Sequence, residues 1–386
     1  MPRRALNFRL IIIALVLIGL AAREIALEQR PSFLRPGLKL CAYVANVGDG
    51  TVSVVDLVTL GVRATVPVGA TPAGLRTHPT RAEIWGVSTD GGYVWVLDAK
   101  TDRVVARISV GASPLTLDFS TDGRKAFVTT AGADALVAID CVSRQIVGRA
   151  RTGKRPLLAR VTPDGKNVVV VNRDDATLQI FEAATLALRA TIPVAAAPND
   201  VVILQNSESF TAFVAANGVA SGSNGDVAHI SVVDLRRNAV LTNLPLPGNP
   251  AGMYLKPDGG ELYITVPEAH ELAIVDTWTH ELVESKLIGS TPGRGIFDES
   301  TSELYVSDSA ANGVVPVDVQ YRTTSLPISV GQAPGSLAMD PSAPHNLLLV
   351  ADENSNDLAV IRVRTGSLIT MVHVGNSPRE ITVLMY

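Results

Sequence analysis

The motif Val-Gly-x-x-Pro recurs along this chain and determines its organisation. It reads Val68-Gly69-Ala70-Thr71-Pro72 and returns as Val110-Gly111-Ala112-Ser113-Pro114. The prolines of the successive copies are Pro72, Pro114, Pro156, Pro198, Pro250, Pro292, Pro334 and Pro378. They are spaced 42, 42, 42, 52, 42, 42 and 44 residues apart. A period of this length predicts a repeat protein in which every copy is one supersecondary unit.

Each copy contains four short segments in which apolar and polar or small residues alternate. In the copy after Pro72 these are residues 73–78, 83–88, 93–98 and 103–110, separated by turns rich in Pro, Gly and Asp. Such a pattern is typical of a four-stranded antiparallel meander. A lone meander cannot bury two apolar faces, but a closed ring of meanders can. The sequence therefore predicts an all-β chain folded as a single β-propeller.

The two ends of the repeat region complement each other. Residues 40–68 supply the second, third and fourth strands of a copy, and the residues after Pro378 supply one first strand. We therefore predict that the C-terminal strand completes the N-terminal blade. Counting the first strands gives eight blades, and seven is the alternative.

An acidic residue closes the third strand of nearly every copy. A carboxylate that recurs in nearly every repeat indicates a turn residue whose oxygens accept backbone N–H groups. A catalytic residue would not be needed in each copy. The acidic residues are Asp56, Asp98, Asp140, Glu182, Asp234, Asp276 and Asp318, whereas the last copy has Arg362.

The strand sequences resemble a known repeat. Second strands read Tyr43-Val44-Ala45-Asn46 and Tyr305-Val306-Ser307-Asp308, and a third strand reads Val52-Ser53-Val54-Val55-Asp56. With Val-Gly-x-x-Pro, these resemble the YVTN-type, YncE-like β-propeller repeat of surface-layer and related extracytoplasmic proteins. The resemblance covers about residues 40–386 and implies the fold, but it does not specify a ligand.

The N-terminus has the features of a targeting segment. Arg3, Arg4 and Arg9 precede an apolar run of 13 residues at positions 10–22. That run is shorter than the roughly 20 residues needed to span a bilayer as a helix. We predict a signal peptide or a short N-terminal membrane anchor at 1–22, a linker at 23–39 and the propeller at 40–386. Either form of the segment places the propeller outside the cytoplasm, in the periplasm or at the cell surface.

Composition excludes several classes of protein. The net charge of −4 argues against a nucleic-acid partner, because there is no cationic excess. Cys41 and Cys141 lie two repeats apart, so a disulfide between them is not expected. Neither belongs to a Cys-x-x-Cys-His motif, which excludes covalent c-type haem.

Residues beside the repeat prolines are expected to ring the mouth of the central channel. Most are small or apolar, so the polar exceptions are candidate ligand-binding residues. A mixed ring containing four cations would suit a carboxylated or phosphorylated ligand, and a solvated rim is the alternative reading. The candidates are Lys154, Arg155, Asn199, Asp200, Arg294 and Arg379, accompanied by Glu380, with His270 on the same face.

Other chemistry has weak support in the sequence. The six histidines lack the close spacing of metal ligands, and no serine lies in a Gly-x-Ser-x-Gly elbow. We expect no catalytic residue, metal or cofactor. The longest copy has a Gly- and Ser-rich insertion at residues 217–226, which is either a functional loop or a neutral one.

Three functions remain open at this stage. We favour a monomeric, exported, non-catalytic propeller that binds a partner protein, a glycan or a small anionic ligand through its loop face. A cofactor-binding or lactonase-like propeller enzyme is the first alternative, because related propellers have a similar strand pattern. A structural component of the cell envelope or surface layer is the second.

Overall fold

Eight β-sheets form a closed ring around a central channel. The computed structural model describes residues 38–205, 209–218, 227–298, 300–342 and 346–386. Each sheet is a four-stranded antiparallel blade, except that one blade has its outer strand in two pieces. The prediction of eight blades is confirmed, and the alternative of seven is wrong. The predicted segment 1–22, most of the linker 23–39 and residues 219–226 of the insertion lie outside the described residues.

The strands follow the repeat along the chain. In the part of the chain that the structure describes, two single 3₁₀ turns accompany them, at Pro267–Ala269 and Val363–Thr365. In chain order the strands are β1 (Leu40–Asn46), β2 (Thr51–Asp56), β3 (Gly61–Pro67), β4 (Pro72–Thr77), β5 (Glu83–Ser88), β6 (Tyr93–Asp98), β7 (Arg103–Ser109), β8 (Pro114–Phe119), β9 (Lys125–Thr130), β10 (Ala135–Asp140), β11 (Gln145–Arg151), β12 (Pro156–Val161), β13 (Asn167–Asn172), β14 (Thr177–Glu182), β15 (Leu188–Pro193), β16 (Pro198–Gln205), β17 (Phe210–Ala216), β18 (His229–Asp234), β19 (Ala239–Pro245), β20 (Gly252–Leu255), β21 (Glu261–Val266), β22 (Glu271–Asp276), β23 (Glu281–Leu287), β24 (Pro292–Asp298), β25 (Glu303–Asp308), β26 (Gly313–Asp318), β27 (Thr323–Thr324), β28 (Ile328–Ser329), β29 (Pro334–Met339), β30 (Leu347–Asp352), β31 (Asp357–Arg362), β32 (Ser367–His373) and β33 (Pro378–Met385).

Each blade runs outward from the channel in chain order. The innermost strands are β33, β4, β8, β12, β16, β20, β24 and β29, and neighbouring innermost strands contact one another around the ring. The loop that links two blades lies beside the hairpin between the second and third strands, since Val68 N–H donates to Gly50 O at 3.0 Å. We call this side of the ring the loop face.

The repeat motif has a conformational reason. Gly69 and Gly111 have φ angles of 109° and 115°, which lie in the region that favours glycine. The proline three residues later starts the next innermost strand, at the channel edge of the sheet where no ladder hydrogen bond is lost. The motif therefore marks each passage from an outer strand to the next blade.

The core lies between the blades. In β1, Leu40, Ala42 and Val44 belong to the cluster shared with blade β29–β32. The alternate residues of β1, such as Cys41 and Tyr43, pack against blade β4–β7 instead. One strand thus supplies two interfaces, because successive side chains point to opposite faces. This explains why the second and third strands of a blade are apolar on both faces.

The carboxylates that end the third strands form turns, as predicted. Asp56 accepts the N–H groups of Val58 and Thr59 at 2.8 and 3.1 Å. Asp98, Asp140, Asp234, Asp276 and Asp318 repeat this arrangement. Glu182, with a longer side chain, instead accepts the Thr185 hydroxyl and the Arg189 guanidinium.

The blade β24–β28 departs from the pattern at its outer edge. Its fourth strand is split into β27 and β28, both paired with β26. Pro327 falls in the gap and cannot donate to the ladder. Leu326, beside it, is 89% exposed.

The C-terminal strand closes the ring, as predicted. β33 pairs with β1 from Leu40↔Met385 to Asn46↔Pro378. The Lys39 and Tyr386 backbones exchange hydrogen bonds of 2.9 and 3.0 Å just beyond this ladder. The Tyr386 hydroxyl accepts from Arg63 at 2.9 Å and donates to Ala99 O in the adjacent blade.

Cys41 and Cys141 are both buried and both free, and their separation by two repeats agrees with the expectation that they do not pair. Within the described ranges, no helix has the length and apolar character needed to cross a bilayer.

Removing residues 381–386 should break the ring. The truncation deletes most of the β1–β33 ladder and uncovers the core residues Leu40, Ala42 and Val44. We expect the monomer peak in size-exclusion chromatography to be replaced by aggregate, with loss of a cooperative melting transition.

The matched control is Tyr386→Phe, which keeps the strand and removes only the hydroxyl. It should stay monomeric and lose about 1 kcal/mol of unfolding free energy. A truncated protein that elutes and melts like the parent would show that β33 does not close the ring.

Candidate functional site

The candidate site lies where the innermost strands begin, at the loop face. Strand pairing skips one residue directly after Pro114, Pro156 and Pro198, and again at Arg379. A bulge of this kind re-aims the adjacent side chains. As a result, two consecutive residues of one strand can face the channel.

A cavity of about 440 Å³ occupies the channel mouth. A second cavity of about 380 Å³ shares five of its lining residues and extends to Tyr254 and to Pro163, which follows β12. The two are parts of one central space, with a size typical of small-molecule sites. The charged residues lining the first cavity are Arg76, Arg160, Asp200, Arg294, Arg379 and Glu380.

The structure brings four of the seven candidate residues to this cavity. Asn199 and Asp200 arrive from β16, Arg294 from β24 and Arg379 from β33. The Asn199 amide donates to Asn217 Oδ1 at 2.8 Å, so it is held against the next loop.

The other three candidates do not line the cavity. Lys154 pairs with Asp134 at 2.7 Å, and Arg155 lies 4.0 Å from Asp174. The His270 imidazole contacts the Ser290 carbonyl oxygen. All three side chains are exposed on the loop face, and each already contacts a group of the protein.

Arg379 also has a fixed partner. Its guanidinium donates twice to Glu353 Oε1, at 2.8 and 2.6 Å. Of the four cations of the predicted ring, Arg294 is therefore the one left unpaired at the cavity, because Lys154 and Arg155 lie outside the lining and Arg379 is paired with Glu353.

Sequence reasoning missed Arg76, Asp118 and Arg160. Each stands four residues after a repeat proline, whereas the prediction stopped at the two residues that follow the proline. Side chains two positions apart on a strand share a face. Applying that alternation one step further along each innermost strand would have found all three.

Among the cations that line the cavity, Arg294 has the fewest partners. Its side chain is exposed, and its backbone N–H donates to Ser307 Oγ at 3.0 Å. Within the described part of the chain, no carboxylate oxygen lies within 4.0 Å of the guanidinium groups of Arg76, Arg160 or Arg294. These donors are therefore available to a ligand.

The groups on the channel wall influence one another's ionisation. Burial raises the pKa of the Asp200 carboxyl, while the guanidinium of Arg160 and, less strongly, those of Arg294 and Arg76 oppose the rise. Burial also lowers the pKa of the Arg160 guanidinium, and Arg76 acts in the same direction. Tyr254 has its pKa raised to about 12 by burial. Charges on strands far apart in sequence thus share one electrostatic environment.

Metal binding has no support from the described residues. In those ranges no three His, Cys, Asp or Glu side chains are grouped closely enough to hold an ion.

Comparison with known proteins identifies the family. The family described as YNCE-like beta-propeller matches residues 20–302, which is more than half of the chain. The chain belongs to the YncE-like β-propeller family. No curated protein gave a significant match.

Solved structures share the fold of this YncE-like propeller at low sequence identity. Dihydro-heme d1 dehydrogenase NirN, in complex with DHE, is 18% identical, with a TM-score of 0.76 over 92% of this chain and 77% of that chain. Hydrazine synthase of Kuenenia stuttgartiensis is also 18% identical, with a TM-score of 0.59 over 76% and 95%. Sqt1 of Saccharomyces cerevisiae is 9% identical, with a TM-score of 0.67 over 80% and 86%. At these identities the likeness concerns the fold alone.

The loop face of this YncE-like propeller also carries a buried carboxylate with unusual surroundings. Asp308 and Asp352 end the second strands of neighbouring blades. Asp308 accepts the N–H groups of Ser290 and Thr291 from the adjoining linker, at 2.6 and 3.0 Å.

Asp352 lacks the equivalent bonds. The matching linker amides, on Gln332 and Ala333, donate instead to Ser355 Oγ and Asn312 Oδ1, each at 3.0 Å. Within the described ranges, neither Asp352 oxygen accepts a hydrogen bond of good geometry. Burial raises the pKa of Asp352 to about 7; the nearby Gly331 backbone amide opposes the rise, and Asp357 adds to it.

Asp352→Asn should stabilise the propeller at pH 8. Asp352 has a native pKa of about 7 and an ordinary unfolded value near 4, so ionising it in the native state costs free energy. The cost is absent below about pH 4, grows as the pH rises, and is complete above about pH 7. We expect a gain of about 2–4 kcal/mol at pH 8 that disappears near pH 4, measured by urea unfolding.

Asp308→Asn is the matched control, because it changes the same position of the neighbouring blade. It weakens charge-assisted bonds to three amides, those of Ser290, Thr291 and Ala311, and should give no gain at pH 8. Parallel pH profiles for Asp352→Asn and the parent would contradict the role assigned to Asp352.

Proposed function

We propose that this YncE-like propeller is a non-catalytic binding protein that takes a small anionic ligand into its central cavity. The observation that carries the proposal is the set of guanidinium groups without carboxylate partners, led by Arg294. Guanidinium groups bind carboxylates and phosphates in a bidentate manner. A cavity of about 440 Å³ is large enough for a ligand of metabolite size.

The charge of the lining supports an anion. Arg76, Arg160 and Arg294 are opposed by Asp200 and Glu380, while Arg379 is neutralised by Glu353. One positive charge is left in excess. The surroundings are partly desolvated, so a charged contact here contributes more than one on the open rim.

We also propose that the protein works outside the cytoplasm. The support is the basic and apolar N-terminal segment at residues 1–22. A binding propeller delivered there would meet small molecules of the envelope or the medium.

A second candidate is a cofactor-binding or lactonase-like propeller enzyme. It is favoured by the likeness to NirN, whose structure holds DHE, over 92% of this chain. An optical absorption spectrum of the purified protein separates the two candidates. A visible band that is removed by denaturation and dialysis would favour the cofactor carrier.

Fractionation of cells expressing the full chain tests the location. We expect the propeller in the extracytoplasmic fraction, and in the cytoplasm when residues 1–22 are deleted. A full-length cytoplasmic product that keeps Met1 would contradict export.

Arg294→Gln tests the binding site. We expect it to weaken binding of glutarate, a small dicarboxylate, by roughly tenfold or more, as measured by isothermal titration calorimetry. The melting temperature should change little, because an exposed side chain without an ion-pair partner contributes little to stability.

Arg155→Gln is the matched control. Arg155 is also an exposed arginine of the loop face, but it lies outside the cavity lining and near Asp174. It should leave glutarate binding unchanged. Equal effects of the two substitutions, or no binding of glutarate by the parent, would overturn the proposed site.

A further inference from the structure

Charges of opposite sign alternate around the channel. Five consecutive innermost strands, from β33 through β4, β8 and β12 to β16, each contribute one charge near the axis, if Arg379 of β33, which is paired with Glu353, is left aside. After the uncharged β20, the sixth charge comes from β24. In ring order the residues are Glu380, Arg76, Asp118, Arg160, Asp200 and Arg294.

No two of these six charged groups form an ion pair with each other. Arg76 and Arg160 each donate to a carbonyl of their own strand, at 2.9 and 3.2 Å. A guanidinium has five N–H donors, so most donors of Arg76 and Arg160 make no hydrogen bond to the part of the protein that the structure describes. Asp118 and Glu380 accept backbone amides of the next blade at 2.9 and 2.8 Å, which gives both a structural task.

Asp200 differs from the other two carboxylates. Its only protein hydrogen bond within the described ranges is to the amide of the next residue, Val201, at 2.8 Å. It ties no blades together, and it lines both cavities. Burial raises its pKa because nearby groups only partly compensate for the lost water.

The wall between Asp200 and Arg294 carries no charge. The intervening strand β20 places Gly252 there, and a Cβ on Gly252 would lie 1.8 Å from the Tyr254 hydroxyl. The Tyr254 hydroxyl thus occupies the space that a side chain at position 252 would need. Asp200, Gly252, Tyr254 and Arg294 form one corner of the cavity, with opposite charges on its two sides.

We propose that this corner binds the zwitterionic part of an α-amino acid, with the ammonium on Asp200 and the α-carboxylate on Arg294. The inference rests on the proposed function and specifies its ligand class. Arg160 and Arg76 remain for a second anionic group, so the class is an α-amino acid with an acidic side chain. Such a ligand carries one net negative charge.

Three related probes separate the contributions of the ligand's groups. Glutamate has both carboxylates and the ammonium, glutarate lacks the amino group, and N-acetylglutamate has the nitrogen without its charge. In calorimetric titrations of the intact propeller, glutamate should bind roughly tenfold or more tightly than either analogue.

Asp200→Asn should abolish this preference. Glutamate affinity should fall to the level of glutarate, while glutarate binds as well as before or better because a like charge is gone. Asp174→Asn, which changes a rim carboxylate outside the cavity, should leave the preference intact. Melting curves of both variants confirm that each is folded.

The pH dependence gives an independent signature. The charged and titratable groups around Asp200 are Arg160 on β12, Arg76 on β4, Arg294 on β24 and Tyr254 on β20. Burial raises the pKa of the Asp200 carboxyl, so Asp200 should take up its proton at a higher pH than an ordinary carboxyl does. As the pH falls and Asp200 is protonated, glutamate binding should weaken and glutarate binding should strengthen.

The outcomes distinguish the two proposals. If glutarate binds, depends on Arg294 and matches glutamate, the amino-acid inference is overturned and the anion site stands. If neither compound binds the parent, the proposed function is overturned together with the inference. A glutamate preference that survives Asp200→Asn would also overturn the role of Asp200.

Discussion

The structure depends on one constraint: a four-stranded blade of this sequence is apolar on both faces. β1 shows it directly, since Leu40 and Cys41 are adjacent in sequence and buried in different interfaces. A flat stack would leave two apolar faces in water, and a ring leaves none. The closure by β33, the linker glycines and the prolines that start the inner strands all serve this arrangement. The ring in turn creates the axial space where polar side chains can converge.

The innermost strands differ from the rest of the blade, because one of their faces borders the channel and does not have to be apolar. Their channel-facing side chains meet solvent rather than a neighbouring blade, so their identities can vary without loss of core. The copies differ here in both charge and size: Arg76, Asp118, Arg160 and Tyr254 occupy the same repeat position. Since the fold does not determine which residues occupy these channel positions, we place the function of the protein there.

The fold was predictable in nearly all respects, because periodicity, turn residues and the complementary ends each report on local structure. The site was predictable only in part. Asn199, Asp200, Arg294 and Arg379 followed from their position beside the repeat prolines, and Arg160 would have followed from strand alternation. The ion pairs of the site residues were not predictable. Glu353 pairs with Arg379 and Asp174 lies beside Arg155, and these contacts depend on how separate loops meet in space. The split of β27 and β28 at Pro327 was likewise overlooked, although that proline was visible.

The pairing of β33 with β1 also has a consequence for how the molecule is made. Leu40 and Met385 are partners across almost the whole repeat region, so their contact carries a large loop-closure entropy until the intervening blades are in place. Local hairpins can form early, whereas this ladder must form late. The last step of folding therefore completes the ring and the channel wall together, since Glu380 of β33 reaches the Leu75 amide of β4. A chain stopped before that step would have intact blades and an incomplete binding site.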